Sequence, residues 1–234
     1  MSEWTPDNPA WEEGCSDEFM ANAETEATAD MLEEFFPIVE TTRKIHVLDV
    51  GAGSGRVGKR LFFKGNTALH QCDVNEVAER HITRGDVRDL YHYACGEFDI
   101  VHCRRVISNL HVNDRPKAVE ELWRVLRPGG LLYIIDCFYS PYQKINDCRE
   151  AAGLARLKPH MGKQRVSESQ INAACTDGTQ LCERVVAPEY YVSSRLVWPC
   201  ILGNFAPPPL KWVTFTLPNV DHLCPHKILV FEKE

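Results

Sequence analysis

Basic charge is what this 234-residue sequence lacks most plainly. Its 26 Lys and Arg stand against 33 Asp and Glu, for a formal net charge of −7 and a pI near 5.7. Non-specific nucleic-acid binders carry a basic footprint, so no nucleic-acid partner is expected. No apolar run approaches the roughly 18 residues that span a bilayer, so no membrane partner is expected either. The first residues carry Glu3, Asp7, Glu12 and Glu13 where a signal peptide would have a basic and then an apolar region. Ten cysteines are scattered from Cys15 to Cys224 without one C-x-x-C pair. Zinc sites and disulfide frameworks favour tighter or more regular spacings, so no metal is expected. The thiols read as reduced core side chains of a cytoplasmic protein.

What is present centres on Val47 to Arg56, V-L-D-V-G-A-G-S-G-R. An apolar β-branched run ends in glycines at every second position, Gly51, Gly53 and Gly55, and a helix-compatible segment follows at once. A buried parallel strand that breaks into a glycine turn and a helix start is how α/β folds build a cofactor cradle. Glycines let the backbone turn sharply and approach a ligand with no Cβ in the way. A dinucleotide fingerprint needs its third glycine at the sixth position, where this chain has Arg56. Asp49, two places before the first glycine, suits a cofactor with an ammonium group better than a pyrophosphate.

The chain in order then reads as alternating strands and helices. Residues 1 to about 20 form an acidic, loosely structured arm with Trp4, Trp11 and Phe19. Ala27, Met31, Leu32, Phe35 and Phe36 follow at helical spacing. Thr67 to Cys72 is a second strand ending at Asp73, 18 residues beyond Gly55, where a carboxylate accepts ribose hydroxyl hydrogens in nucleoside-binding folds. His81 to Thr83 is a short third strand leading to Gly85-Asp86-Val87. Phe98 to Cys103 is a fourth, followed by Arg104, Arg105 and, further on, His111. Asp114 and Pro116 start a helix that Pro128-Gly129-Gly130 stops before a fifth strand, Leu131 to Cys137. Beyond it, Tyr142 to Leu157 reads as a helix. A basic loop follows (Arg156, Lys158, His160, Lys163, Arg165), then a helix with a capping box at Ser167 and Gln170. Strands at Leu181 to Ala187 and Lys227 to Phe231 close the chain.

The Asp-x-Gly-x-Gly-x-Gly stretch, the Gly-Asp pair, the F-D-I-V opening of strand four and the L-R-P-G-G stop resemble class I S-adenosylmethionine-dependent methyltransferases. The resemblance covers residues 44 to 137. It implies an α/β three-layer sandwich: a seven-stranded, mostly parallel sheet with an antiparallel last strand and helices on both faces. Residues 1–40 would be an arm and helix, and 41–234 one methyltransferase domain. Insertions at about 140–166 and 188–226 would cap the substrate.

The resemblance further implies S-adenosyl-L-methionine as cofactor and S-adenosyl-L-homocysteine as product. Asp49, Gly51, Ala52, Gly53 and Gly55 would hold its methionine part. Asp73 with Val74 would hold the ribose, Asp86 with Val87 the adenine, and Cys103 and Arg104 would border the sulfonium. In that family the N-terminal segment often folds over the cofactor, so the tryptophans line a lid or merely anchor a tail.

A hydroxyl acceptor needs its proton removed, and His111 and His160 are the candidate bases. Arg104, Arg105, His160, Lys163 and Arg165 would surround the acceptor with positive charge, favouring a small anionic molecule methylated at oxygen or nitrogen. The alternatives are an RNA or protein methyltransferase, a non-catalytic interaction protein of the same fold, and a nicotinamide-dependent enzyme. The oligomeric state is not legible.

Overall fold

Alternation of buried strands and amphipathic helices places seven strands in one sheet, ordered β3-β2-β1-β4-β5-β7-β6 in the computed structural model. The structure describes residues 18–36, 42–62, 65–75, 81–157, 165–202 and 214–234. The strands are β1 (Ile45–Val50), β2 (Thr67–Asp73), β3 (Ile82–Arg84), β4 (Phe98–Arg104), β5 (Leu126–Cys137), β6 (Gly178–Val185) and β7 (His226–Lys233). β1 to β5 pair in parallel, and β7 runs antiparallel between β5 and β6. The sheet order reverses between β1 and β4, which opens the crevice where α/β folds bind ligands.

Alternate strand residues fill two cores. Leu48, Val101, Leu132 and Leu229 face α3 (Arg115–Val125), which brings Ala118, Val119 and Leu122. Val47, Ile100, Tyr133 and Val230 face α1 (Glu18–Phe35) and α2 (Arg56–Phe62), with Met20, Met31, Leu32, Leu61 and Phe62. Each such fully buried side chain contributes about 1.5–3 kcal/mol, and both sheet faces are covered. The three-layer α/β sandwich is as expected.

Several local expectations need correction. The first helix already starts at Glu18, inside the stretch read as an arm; Trp4 and Trp11 lie outside the described residues. The helix after β5, α4 (Tyr139–Ala151), ends early because Gly153 takes φ +72 there and its N–H reaches the Glu150 carbonyl. Next, α5 (Glu168–Ala174) starts after Ser167, but no side-chain capping bond forms; the Ser167 hydroxyl lies 2.7 Å from that of Ser169.

Pro128-Gly129-Gly130 does not separate helix from strand either. Strand β5 begins at Leu126, and its register against β4 slips between Phe98 and Ile100. The slip is clamped by Asp99, whose carboxylate is ion-paired at 2.7 Å with Arg43 and 2.5 Å with Arg127 and accepts the His46 N–H. Burial pushes the Asp99 carboxyl up, but these partners win and hold it below its usual value. Among the described residues five thiols are buried, Cys148 and Cys182 are half-buried, and Cys95 and Cys200 are exposed, so the cysteines are not uniformly core residues.

The late insertions contribute α6 (Pro188–Val192) and α7 (Trp198–Leu202). Ile145 and Cys148 of α4 share a third apolar cluster with Tyr191, Val192 and Leu223. The segments read as two separate insertions therefore pack, where described, on each other.

Candidate functional site

Strands β1, β2 and β4 end side by side, so their last residues and the turns after them line one edge. Gly51, Gly53 and Gly55 all have positive φ, from +54 to +72. Gly51 also lies so close to β4's end that a Cβ there would overlap the Val106 side chain. The turn's N–H groups are directed inward. Gly51 and Ala52 donate to the Cys72 carbonyl, Gly53 to Asp73 Oδ2 and Gly55 to the Ala52 carbonyl. A pyrophosphate would need such groups free at the helix start. Four N–H groups of the bend are thereby satisfied within the chain.

Asp49 is 3 % exposed and sits opposite His102 across the β1–β4 pair. Its Oδ1 lies 2.7 Å from His102 Nδ1, and its Oδ2 accepts the Gln71 amide at 2.9 Å. Gly58 of α2 leaves room for that carboxylate, which a Cβ there would overlap. A cavity of about 150 Å³ opens against Asp49, Gly51, Ala52, His102, Arg104 and Arg105. His102 is 1 % exposed, and its Nε2 has no hydrogen-bond partner among the described residues. A buried imidazole nitrogen left unmatched costs free energy.

Asp73 is buried at the end of β2, its Oδ1 holding the Asn75 N–H and amide while its Oδ2 holds the loop at Gly53. Asp86 follows β3 on the same edge. Its carboxylate grips Arg88 bidentately, and Arg88 in turn reaches Asp114. The Arg88 hydrogen bond is the main cause that holds the Asp86 carboxyl below its usual value. Asp49, Asp73 and Asp86 thus share one edge of three adjacent strands. Val74 is exposed beside them, whereas Val87 is buried in the core with Leu90. Cys103 is likewise buried in that core, and burial pushes its thiol well up.

The expected positive collar is largely neutralised. Glu24 of α1, 1 % exposed, receives Arg104 Nε at 2.9 Å and Arg105 through a fork at 2.9–3.0 Å. His226 Nδ1 lies 2.9 Å from the same carboxylate. Burial alone would push the Glu24 carboxyl up, but Arg105, His226 and Arg104 hold it well below the carboxylate range. Arg156 is ion-paired to Glu150 and Asp147, and Arg165 stacks 4.3 Å above the Tyr142 ring. His160 and Lys163 lie outside the described residues. Among the described residues, Arg104 and Arg105 therefore carry no uncompensated charge that would argue for an anionic acceptor.

His111 is exposed and caps a short 3₁₀ turn, its Nδ1 accepting the Asn113 N–H. The histidine on the described wall of the cavity is His102, which the sequence reading missed. One signal was there: a polar residue inside the apolar run Phe98 to Cys103. Glu24 left a signal too, falling four residues after Met20 and seven before Met31 on the buried stripe of α1. Gln71 and His226 gave none, because Gln71 meets Asp49 through strand register and His226 meets Glu24 only once α1 packs on the sheet.

Residues 48–134 match a family model described as a methyltransferase domain. A methyltransferase of Streptomyces halstedii, GfsG, is 32% identical over 125 residues, which cover 47% of this chain and 44% of that protein. The glycine/sarcosine/dimethylglycine N-methyltransferase of Actinopolyspora halophila is 31% identical over 124 residues, 47% of this chain and 21% of that protein. The matched stretch spans less than half the length of either relative. The crystal structure of Burkholderia thailandensis 1,6-didemethyltoxoflavin-N1-methyltransferase, with bound 1,6-didemethyltoxoflavin and S-adenosylhomocysteine, shares the fold. It has a TM-score of 0.57 at 15% identity, covering 93% of this chain and 81% of that one. The matched stretch runs from within β1 to within β5, so the similarity to a methyltransferase domain falls on the strands that border the crevice.

Proposed function

We propose that this protein transfers a methyl group from S-adenosyl-L-methionine to an oxygen or nitrogen of a small molecule. The observation that carries the reading is the row Asp49, Asp73, Asp86 around a glycine bend whose N–H groups are already bonded within the chain. When bound, the cofactor supplies an electrophilic methyl carbon on sulfonium. The chain then has to hold that group, align the acceptor and exclude water.

Asp73 would take the ribose hydroxyls while keeping Gly53 in place. Asp86 and the exposed Val74 lie towards the adenine end, and Asp49 with the cavity towards the methionine end. Support for a small acceptor comes from the net negative charge and the N-methyltransferase among the relatives. The insertions around α4 and α6 would cover the acceptor. His111 stands beyond the cavity wall and His160 outside the described residues, so a base role for either is tested by turnover alone.

Asp73→Ala removes both the ribose acceptor and the Gly53 anchor. Cofactor binding measured by calorimetry should weaken by about 1–3 kcal/mol. Unchanged affinity would show that the second strand's acid is no ligand. The acceptor itself is best sought by incubating the protein and isotopically labelled cofactor with a cell extract, followed by mass spectrometry. A labelled small molecule is the expected product. Label found only in RNA or protein would overturn the small-molecule assignment.

A further inference from the structure

Two neighbouring helices on one face of the sheet carry opposite charge. Helix α1 has several acids and no Lys or Arg, whereas α2 has Arg56, Lys59 and Arg60 and no Asp or Glu. Glu26, Asp30 and Glu33 follow one another at helical spacing, so they form one ridge, and all are exposed. Arg56, Lys59 and Arg60 form a second exposed ridge by the same rule. Both helices rest on one apolar cluster, and Glu26 lies 3.8 Å from Arg60, so the ridges run side by side. That contact is loose, leaving the two side chains 68 % and 57 % exposed. Arg56 and Lys59 have no ion-pair partner among the described residues.

Exposed ridges of opposite sign, set next to each other, fit few partners. A nucleic acid laid on α2 would also meet the acids of α1, which repel it. A basic surface laid on α1 would meet the cations of α2 in the same way. The matching surface is one with the same two ridges in reversed order. A second copy of this chain presents it when turned about a two-fold axis that runs between the ridges. Acid then faces base twice, and the contact closes at two copies.

We propose that the α1–α2 face is the contact surface for a second copy of this chain, with charge selecting the pairing. Exposed ion pairs each add little and are screened by salt, so the dimer is weak and reversible. The inference is independent of the methyl-transfer reading, since no ridge residue belongs to the site described above.

Sedimentation equilibrium of the full chain tests it. Native protein should dimerise reversibly at about 50 mM salt, and the association should weaken at least about tenfold at about 0.5 M. Two charge-reversed variants are compared, Lys59→Glu with Arg60→Glu, and Glu26→Lys with Asp30→Lys. Each alone should be monomeric, because its copies set like charges opposite each other. An equimolar mixture of the two should dimerise again, because each supplies the charge the other lacks. Recovery on mixing also shows that both variants are folded. Native protein that stays monomeric at low salt overturns the inference. So does a dimer that survives either reversal, or a mixture that stays monomeric. Monomeric native protein that binds a single-stranded RNA oligonucleotide, and loses it on Lys59→Glu with Arg60→Glu, would assign the basic ridge to nucleic acid instead.

Discussion

Glu24→Ala is expected to lower the free energy of unfolding by about 3–5 kcal/mol, the cost of breaking a buried charge cluster on one side. The carboxylate is 1 % exposed and faces Arg104, Arg105 and His226, all largely buried. Its removal leaves two guanidinium groups at the end of β4 without their shared anion. It also unpins α1 from the edge that borders the cavity. Glu24→Gln keeps the shape but not the charge, and should cost less.

The cluster also fixes a pH dependence. A carboxyl held low in the folded state contributes stability above its unfolded value, near 4.5, and loses it as pH falls toward the folded one. Native protein should therefore lose stability below about pH 4.5, and the Glu24→Gln variant should lose less over the same range. Urea denaturation at pH 7 and pH 4 reads both effects. Equal acid sensitivity in the two proteins would contradict this account of the cluster.

Gly51→Ala is the second large effect. A left-handed backbone at φ +71 costs an alanine about 1–2 kcal/mol. The added Cβ would also overlap the Val106 side chain at the end of β4, and overpacking of this kind typically costs about 1–3 kcal/mol more. Relief requires the Val106 side chain to turn aside or β1 and β4 to separate where the cofactor is proposed to lie. Binding of S-adenosylhomocysteine should fall below detection, with a measurable drop in melting temperature. Gly53→Ala provides the contrast, because a Cβ there meets nothing within 4 Å. It should show the backbone cost with weaker loss of binding. Equal tolerance of alanine at both positions would mean that Val106 yields and that the close approach has no functional weight.

The sequence revealed those features that depend on neighbours along the chain. β1 with its glycine turn, Asp73 closing β2 and the helix from Arg115 are local patterns, and each lies where its residues indicated. Pairing across the sheet was not legible. Asp49 and His102 are 53 positions apart, and only the β1–β4 register sets them opposite each other. Glu24 meets Arg105 across 81 positions, so the basic residues after β4 read as uncompensated until α1 was in place. Pro128-Gly129-Gly130 has the composition of a helix stop, yet the Asp99 ion pairs incorporate it into β5 as an irregularity. Local signals identified the cofactor class, whereas the electrostatics of the cleft emerged from long-range contacts.

The function proposed for this protein depends on the glycine bend holding a sulfonium nucleoside. Titration calorimetry of the native protein with S-adenosylhomocysteine and, separately, with NAD tests it most directly. The account requires saturable one-to-one heat with S-adenosylhomocysteine and none with NAD; heat with NAD alone, or with neither, contradicts it.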